Sequence, residues 1–109
     1  MKNAMNILMC SGGKRVDLIK EFQRVLGSRG KVMITDANAL NAGRFYADGF
    51  IKAPPIQDKA YLPFLKKIIR KHQITLLFSV IDPELLFLAK HQQELANLGA
   101  EVMISPLSS

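Results

Sequence analysis

The chain has 109 residues, of which 49% are hydrophobic and 22% are charged, as expected for a single globular domain. No apolar run approaches the ~20 residues that a membrane-spanning helix needs. The apolar stretch near the start is interrupted by glycines too early for a signal peptide. The single cysteine excludes an intramolecular disulfide and a cysteine metal cluster. These features predict a one-domain cytoplasmic protein with no membrane partner.

The net charge is +6, from 15 basic and 9 acidic residues. Such an excess can attract nucleic acid or another polyanion. The cations are spread along the chain, however, and the densest group lies near the end of a helical pattern, where positive charge suits the helix dipole. That group comprises Lys66, Lys67, Arg70, Lys71 and His72. We therefore interpret it as a solvated helix face and do not expect a nucleic-acid partner.

The first half of the chain predicts three short strands and one helix. Strands are expected at Met5–Cys10, Lys31–Thr35 and Phe50–Pro55, because each run is short, apolar and ended by glycine, aspartate or proline. Val16–Leu26 is predicted to be a helix, since its apolar residues fall on one face. An irregular connection with one helical turn near Phe45 is expected between the second and third strands.

The second half predicts two helices and two strands. Asp58 is expected to cap the first helix. The second helix is expected to start at Asp82-Pro83-Glu84, with a capping carboxylate, a proline in the first turn and a further acid. The predicted elements are a helix from Asp58 to about His72, a strand at Thr75–Ile81, a helix from Asp82 to Gly99 and a strand at Glu101–Ile104.

This alternation predicts an α/β fold in three layers, a five-stranded parallel sheet with helices on both faces. Right-handed crossovers then give the strand order 3-2-1-4-5. The order reverses between the first and fourth strands, and ligands bind at such switch points. The loops expected there are residues 11–15 and 82–84.

The loop Ser11-Gly12-Gly13-Lys14-Arg15 is the first candidate site. Glycines let backbone N–H groups approach an anion, the following helix directs further N–H groups at the same point, and the two cations add charge. The alternative is that the glycines only make a tight strand-to-helix turn. The loop matches neither the Walker pattern nor the dinucleotide fingerprint, because the required third glycine and the Lys-Ser/Thr pair are absent.

Three acids are further candidates for contact with a small anionic substrate. Asp36 ends the second strand, where an acid binds ribose in dinucleotide-binding domains, although such acids also cap turns. Asp82 and Glu84 are expected across the crevice from the loop, where they would hold an amine, a hydroxyl or a metal-bound water, although both are also ordinary helix-start residues. No nucleophile–base pair and no complete ligand set is visible, so we predict neither catalytic residues nor a metal site. Cys10 is interpreted as a small buried core residue.

Four segments together resemble the N-terminal domain of ATP-grasp proteins, with the group described as carbamoyl-phosphate-synthase-like as the best match. They are "MNILMCSGGKRVDLIKEF", "VMITDAN", "ADGFIKAP" and "ITLLFSVIDPELLFLAK". The resemblance runs from Met5 to about Pro106, and the order and spacing of the segments carry it. The loop departs from the family pattern, since Gly-Gly-Lys-Arg replaces a small residue, glycine and two arginines, which removes one fork-shaped phosphate binder.

The resemblance implies a Rossmann-like pre-ATP-grasp domain that forms one wall of the substrate cleft in a ligase joining a carboxylate to an amine or thiol through an acylphosphate. ATP and Mg²⁺ would be held by downstream ATP-grasp domains, for which residues 1–109 leave no room, so the chain is expected to be inactive alone. The alternative is a dinucleotide-binding Rossmann module of an oxidoreductase. The sequence leaves the oligomeric state and the substrate open.

Overall fold

The computed structural model describes residues 4–103. The strands are β1 (Asn6–Cys10), β2 (Val32–Asp36), β3 (Gly49–Lys52), β4 (Ile74–Ser79) and β5 (Glu101–Val102); the helices are α1 (Val16–Leu26), α2 (Tyr61–His72), α3 (Asp82–Lys90) and α4 (Gln92–Ala96). A short 3-10 turn at Gly43–Phe45 matches the helical turn expected near Phe45. The expected last strand extends to Ile104, which lies outside the described residues.

The five strands form one parallel sheet in the order β3-β2-β1-β4-β5. This confirms the predicted α/β Rossmann-like fold and its strand order. The order reverses between β1 and β4, so the chain segments that leave their carboxyl ends run in opposite directions across the sheet. The loop after β1 and the start of α3 lie at this point, as the topology predicted.

Several element boundaries differ from the expectation. The third strand ends at Lys52 rather than Pro55, and the fourth ends at Ser79 rather than Ile81. α3 ends at Lys90 and a separate short helix follows, so the single helix from Asp82 to Gly99 was wrong. The N-cap of α3 is Ile81, in extended conformation and with no side-chain cap hydrogen bond, so Asp82 is not the capping carboxylate. Asp58 lies before α2, where its Oδ1 accepts the N–H of Ala60 at 2.9 Å, while the helix itself begins at Tyr61.

The sheet divides the core into two layers. On one side α1 packs through Ile19 and Leu26 against the inward-facing residues of β1, β2 and β4. On the other side α2, α3 and α4 pack together against the alternate residues of the same strands. The number of α-helices on each face follows from the connections. α1 is the α-helix between β1 and β2, whereas α2 precedes β4 and α3 and α4 follow it.

Candidate functional site

A cleft of about 540 Å³ opens at the carboxyl ends of β1, β2 and β4. Its polar side is formed by Ser11, Thr35, Asp36 and Glu84, with Lys14 and Arg15 at the same opening; its apolar side comes from residues 53–56 and 80–81. A larger depression of about 1030 Å³ lies at the amino ends of the strands and contains none of the predicted site residues. Because ligands of open α/β sheets bind at the carboxyl ends, the smaller cleft is the candidate site.

The two glycines of the loop are required by their close neighbours. A Cβ atom at Gly12 would lie 2.9 Å from the Met9 side chain, and one at Gly13 would lie 2.6 Å from both Asp36 Oδ2 and Asn41 Cβ. Any larger residue would force the loop away from β1 and from the connection after β2. Ser11 adopts a left-handed conformation with φ of 58°, which turns the chain sharply as it leaves the strand. The close approach of the Met9, Asp36 and Asn41 side chains to the loop backbone therefore explains both glycines.

Most of the loop's backbone donors are already used within the protein. The N–H of Gly12 bonds the Thr35 carbonyl at 3.2 Å and the N–H of Arg15 bonds the Gly12 carbonyl at 3.0 Å. The N–H of Gly13 donates to Asp36 Oδ2 at 3.0 Å. The N–H groups of both glycines therefore already have partners within the protein, and anion binding at this loop stays a prediction. An anion at this loop would depend on the two cationic side chains and on the start of α1.

The two cations of the loop have different surroundings. The Lys14 side chain is exposed beside the cleft. Arg15 donates from Nε to Asp17 Oδ1 and from a terminal nitrogen to Asp17 Oδ2, both at 3.2 Å. The hydrogen bonds raise the pKa of Arg15 and lower the pKa of Asp17. Lys14 takes no part in the Arg15–Asp17 pair. Arg15 would have to leave Asp17 in order to bind an incoming anion.

Asp36 acts as a turn-forming residue. Its Oδ2 accepts the N–H of Gly13, and its Oδ1 accepts the N–H of Asn38 at 3.0 Å. The carboxylate thereby joins the end of β2 to the loop after β1. Each oxygen already has one backbone donor, as the capping alternative predicted, although the side chain still borders the cleft.

Glu84 is the buried centre of the site, with 2% of its surface exposed. Its Oε1 accepts hydrogen bonds from the hydroxyls of Ser11 at 2.5 Å and Ser79 at 2.7 Å, and its Oε2 accepts one from the Tyr61 hydroxyl. Three elements and the loop are thus joined at one carboxylate, because Ser79 ends β4, Tyr61 begins α2 and Glu84 lies in the first turn of α3. A buried carboxylate is retained only where such donors replace water.

Tyr61 and Ser79 were not predicted as site residues. The only sequence signals are a tyrosine at the start of an apolar helix face and a serine at the end of a buried strand. Burial, followed by the nearby Cys10 and Glu84, raises the pKa of the Tyr61 hydroxyl, so it remains a proton donor to the carboxylate. Burial likewise raises the pKa of the Cys10 thiol, which is fully buried, and this confirms its interpretation as a core residue.

The structure brings some of the predicted residues together and leaves others apart. Ser11, Lys14, Arg15, Asp36 and Glu84 border the cleft. Gly12 and Gly13 shape the loop behind it, and Asp82 is exposed on α3 without lining the cleft. Within residues 4–103, no three metal-ligating side chains come together. In the same residues, no helix has the length and apolar character to span a bilayer.

Two solved structures show the same fold. Glycinamide-RNase-transformylase T from Mycobacterium tuberculosis aligns with a TM-score of 0.59 and 16% identity, over 88% of this chain and 28% of that one. dTDP-glucose 4,6-dehydratase from Bacillus anthracis, in complex with NAD, aligns with a TM-score of 0.57 and 14% identity, over 91% and 36%. The chain therefore spans less than two fifths of either structure. At these identities the likeness establishes the fold alone.

No curated protein matches the chain. The family model described as "PylC-like, N-terminal domain" matches residues 7–103. This match includes all five strands and all four helices except the first residue of β1. It agrees with the resemblance seen in the four sequence segments. The chain belongs to the family of PylC-like N-terminal domains, the pre-ATP-grasp domains of ATP-grasp proteins.

Proposed function

We propose that this domain forms the substrate-side wall of a cytoplasmic ATP-dependent ligase that joins a carboxylate to an amine or a thiol through an acylphosphate, in the manner of carbamoyl-phosphate-synthase-like proteins. Downstream ATP-grasp domains of the same polypeptide hold ATP and Mg²⁺ in this proposal. The domain binds and orients a small anionic substrate and contributes no catalytic residue of its own. Alone, it does not turn over ATP.

The observation that carries this proposal is the distribution of charge around the cleft. Lys14 and Arg15 lie on the loop at its opening, and the carboxylates of Asp36 and Glu84 lie on its polar wall. A small substrate with a carboxylate or phosphate at one end and hydrogen-bond donors at the other matches this arrangement. The apolar side, which includes Pro54 and Pro55, limits water around the bound molecule.

The loop cations have a direct test in the double variant Lys14→Ala, Arg15→Ala. Inorganic phosphate and acetate are titrated into the isotope-labelled chain, and binding is followed from the NMR shifts of the loop amides. We expect affinity to fall about tenfold or more, because charge-assisted hydrogen bonds are lost. The stability should change by less than about 0.5 kcal/mol, because both side chains reach solvent.

The matched control is Lys67→Ala, Arg70→Ala, which removes the same charge from the exposed face of α2, away from the cleft. Equal weakening by the two double variants would mean that net charge alone attracts the anion, and the site proposal would fail. A loss of folding in the Lys14, Arg15 variant would assign the two residues a structural role. Turnover of ATP by the purified chain would contradict the assignment of ATP binding to downstream domains.

The alternative, a dinucleotide-binding module of an oxidoreductase, has the fold of the NAD-bound dehydratase in its favour. The engagement of Asp36 by two backbone N–H groups weighs against it, because a ribose-binding acid accepts from the ligand hydroxyls. Titration with NADH, followed by its fluorescence, separates the two proposals. Binding in the micromolar range would favour the oxidoreductase.

A further inference from the structure

A polar row crosses three neighbouring strands beneath the cleft, made by the last residues of β1 and β4 and the penultimate residue of β2. Cys10 is paired in register with Thr35 on β2 and with Ser79 on β4. All three are at most 1% exposed, and they lie on the side of the sheet that faces α2 and α3. The core on this side therefore ends in a layer of hydroxyl and thiol groups, one from each strand.

The members of this row differ in how their polar atoms are satisfied. The Ser79 hydroxyl donates to Glu84 and accepts the N–H of Ile81 at 3.2 Å. The Thr35 hydroxyl, in contrast, has no hydrogen-bond partner, and it is the one buried side-chain nitrogen or oxygen in this condition within residues 4–103. Its neighbour Cys10 is a weak hydrogen-bonding group whose thiol burial keeps protonated. A buried hydroxyl without a partner destabilises the fold, so its occurrence calls for an explanation.

The position of Thr35 explains its unpartnered hydroxyl, because the residue borders the cleft between the loop and the segment 53–57. Because Thr35 is fully buried, contact between its hydroxyl and a ligand group requires this segment, which contains no helix or strand, to shift outward. The adjoining carboxylates of Asp36 and Glu84 already accept internal donors, whereas Thr35 Oγ1 has at most the weakly bonding thiol of Cys10 beside it. The unpartnered hydroxyl is thus the part of the cleft floor that lacks a group to bond.

We propose that Thr35 binds a neutral hydroxyl or amide group of the same small molecule whose anionic end lies at Lys14 and Arg15. This rests on the proposed function, in which the cleft takes a small anionic substrate. A neutral group is favoured because a charged group at this fully buried position would lose its hydration without an opposite charge at Thr35. Thr35 is then a specificity-determining residue, which separates hydroxyl- or amide-bearing anions from simple ones.

The test compares two probes, inorganic phosphate and glycerol 3-phosphate, on the native chain and on Thr35→Val and Thr35→Ser. Valine keeps the shape of threonine and removes only the hydroxyl, so we expect glycerol 3-phosphate to bind about three- to tenfold more weakly. Inorganic phosphate should bind as in the native chain. Serine keeps the hydroxyl and should retain the preference for glycerol 3-phosphate. Thr75→Val is the matched control, because Thr75 lies at the opposite end of the sheet and bonds the Asn6 carbonyl.

The outcomes separate this proposal from the one on which it rests. If phosphate binds through Lys14 and Arg15 but Thr35→Val leaves both probes unchanged, the Thr35 proposal is overturned and the anion site stands. If the native chain binds neither probe, the anion site fails and the Thr35 site fails with it. A second measurement needs no variant: glycerol 3-phosphate should shift the amide resonances of Thr35 and Cys10, while phosphate should not. Identical shifts from both probes would contradict the proposal.

Discussion

The two faces of the sheet differ in the residues that they present at its carboxyl end. On the α1 side, Met9 is paired with Ile34 and Phe78, and all three are fully buried apolar residues. One residue further along each strand, on the opposite face, the row is Cys10, Thr35 and Ser79. Because side chains alternate across a strand, consecutive residues of the same strands build an apolar seal on one face and a polar floor on the other.

This difference shows how the fold makes room for a site. On the α1 side the rings of Phe22 and Phe78 lie 5.3 Å apart and close the core near the carboxyl edge. On the α2 side the apolar core stops one layer earlier, and Glu84 with its three hydroxyl donors occupies the space. The polar floor of the cleft therefore lies on this face, where hydrogen bonds replace apolar contacts.

Phe78→Ala breaks the apolar face and should have the largest effect on stability. Removing a fully buried ring leaves a cavity, and we expect a loss of about 3–5 kcal/mol in the free energy of unfolding. Urea denaturation measures it, with Leu86→Ala as the control, since Leu86 is 72% exposed and should change stability by less than about 0.5 kcal/mol. Similar losses in the two variants would contradict the assignment of Phe78 to the core.

Glu84→Ala breaks the polar face and should cost less, about 2–4 kcal/mol. The Tyr61 hydroxyl loses its acceptor inside the protein and the Ser79 hydroxyl keeps only the long contact to the Cys10 carbonyl at 3.4 Å, whereas the Ser11 hydroxyl regains water. Glu84→Gln should be milder, because it still accepts one hydrogen bond. Asp82→Ala is the control, from the same helical turn but exposed, and should change stability by less than about 1 kcal/mol.

Glu84→Ala and Phe78→Ala should also differ in their effect on phosphate binding. Glu84→Ala also releases Ser11, so the loop should lose affinity for phosphate under conditions in which the variant is folded. Phe78→Ala, on the other face, should leave phosphate affinity unchanged at the same folded fraction. Equal affinities in both variants would mean that Glu84 stabilises the fold without positioning the loop.

The smallest effect concerns the exposed pair at the edge of the cleft. The hydrogen bonds from Arg15 hold the pKa of Asp17 below its ordinary value of 3.8. As the pH falls, the unfolded chain therefore binds this proton before the folded chain does. The contribution of Asp17 to stability is fully present above about pH 4, and it is lost as the pH falls through the lower pKa of the folded state. In an NMR titration, Arg15→Ala should move the pKa of Asp17 up towards 3.8. Bound phosphate should move it in the same direction if it takes Arg15 from Asp17, and an unchanged pKa would show that the anion avoids Arg15.

Much of the fold followed from patterns along the chain. The bounds of α1 were predicted without error, and the strand order followed from the alternation of short apolar runs with helical segments. The error at Asp82 arose because helix-start propensity does not separate the cap from the first turn, and the extended Ile81 takes the cap position. The separation of α3 from α4 has no clear signal, since neither glycine nor proline lies near His91.

By itself, the sequence determined the α/β class, the switch point and the two loops at which to look, because periodicity, turn residues and crossover handedness act over short distances. Only the tertiary structure decided what those residues do. Glu84 finds Ser11 and Tyr61 at separations of 73 and 23 residues. The close approach at Gly13 comes from Asp36 and Asn41, on another connection. The Thr35 hydroxyl lacks a hydrogen-bond partner because the residues that bury it come from other segments of the chain. Such hydrogen bonds and contacts join distant segments, and no local pattern encodes them.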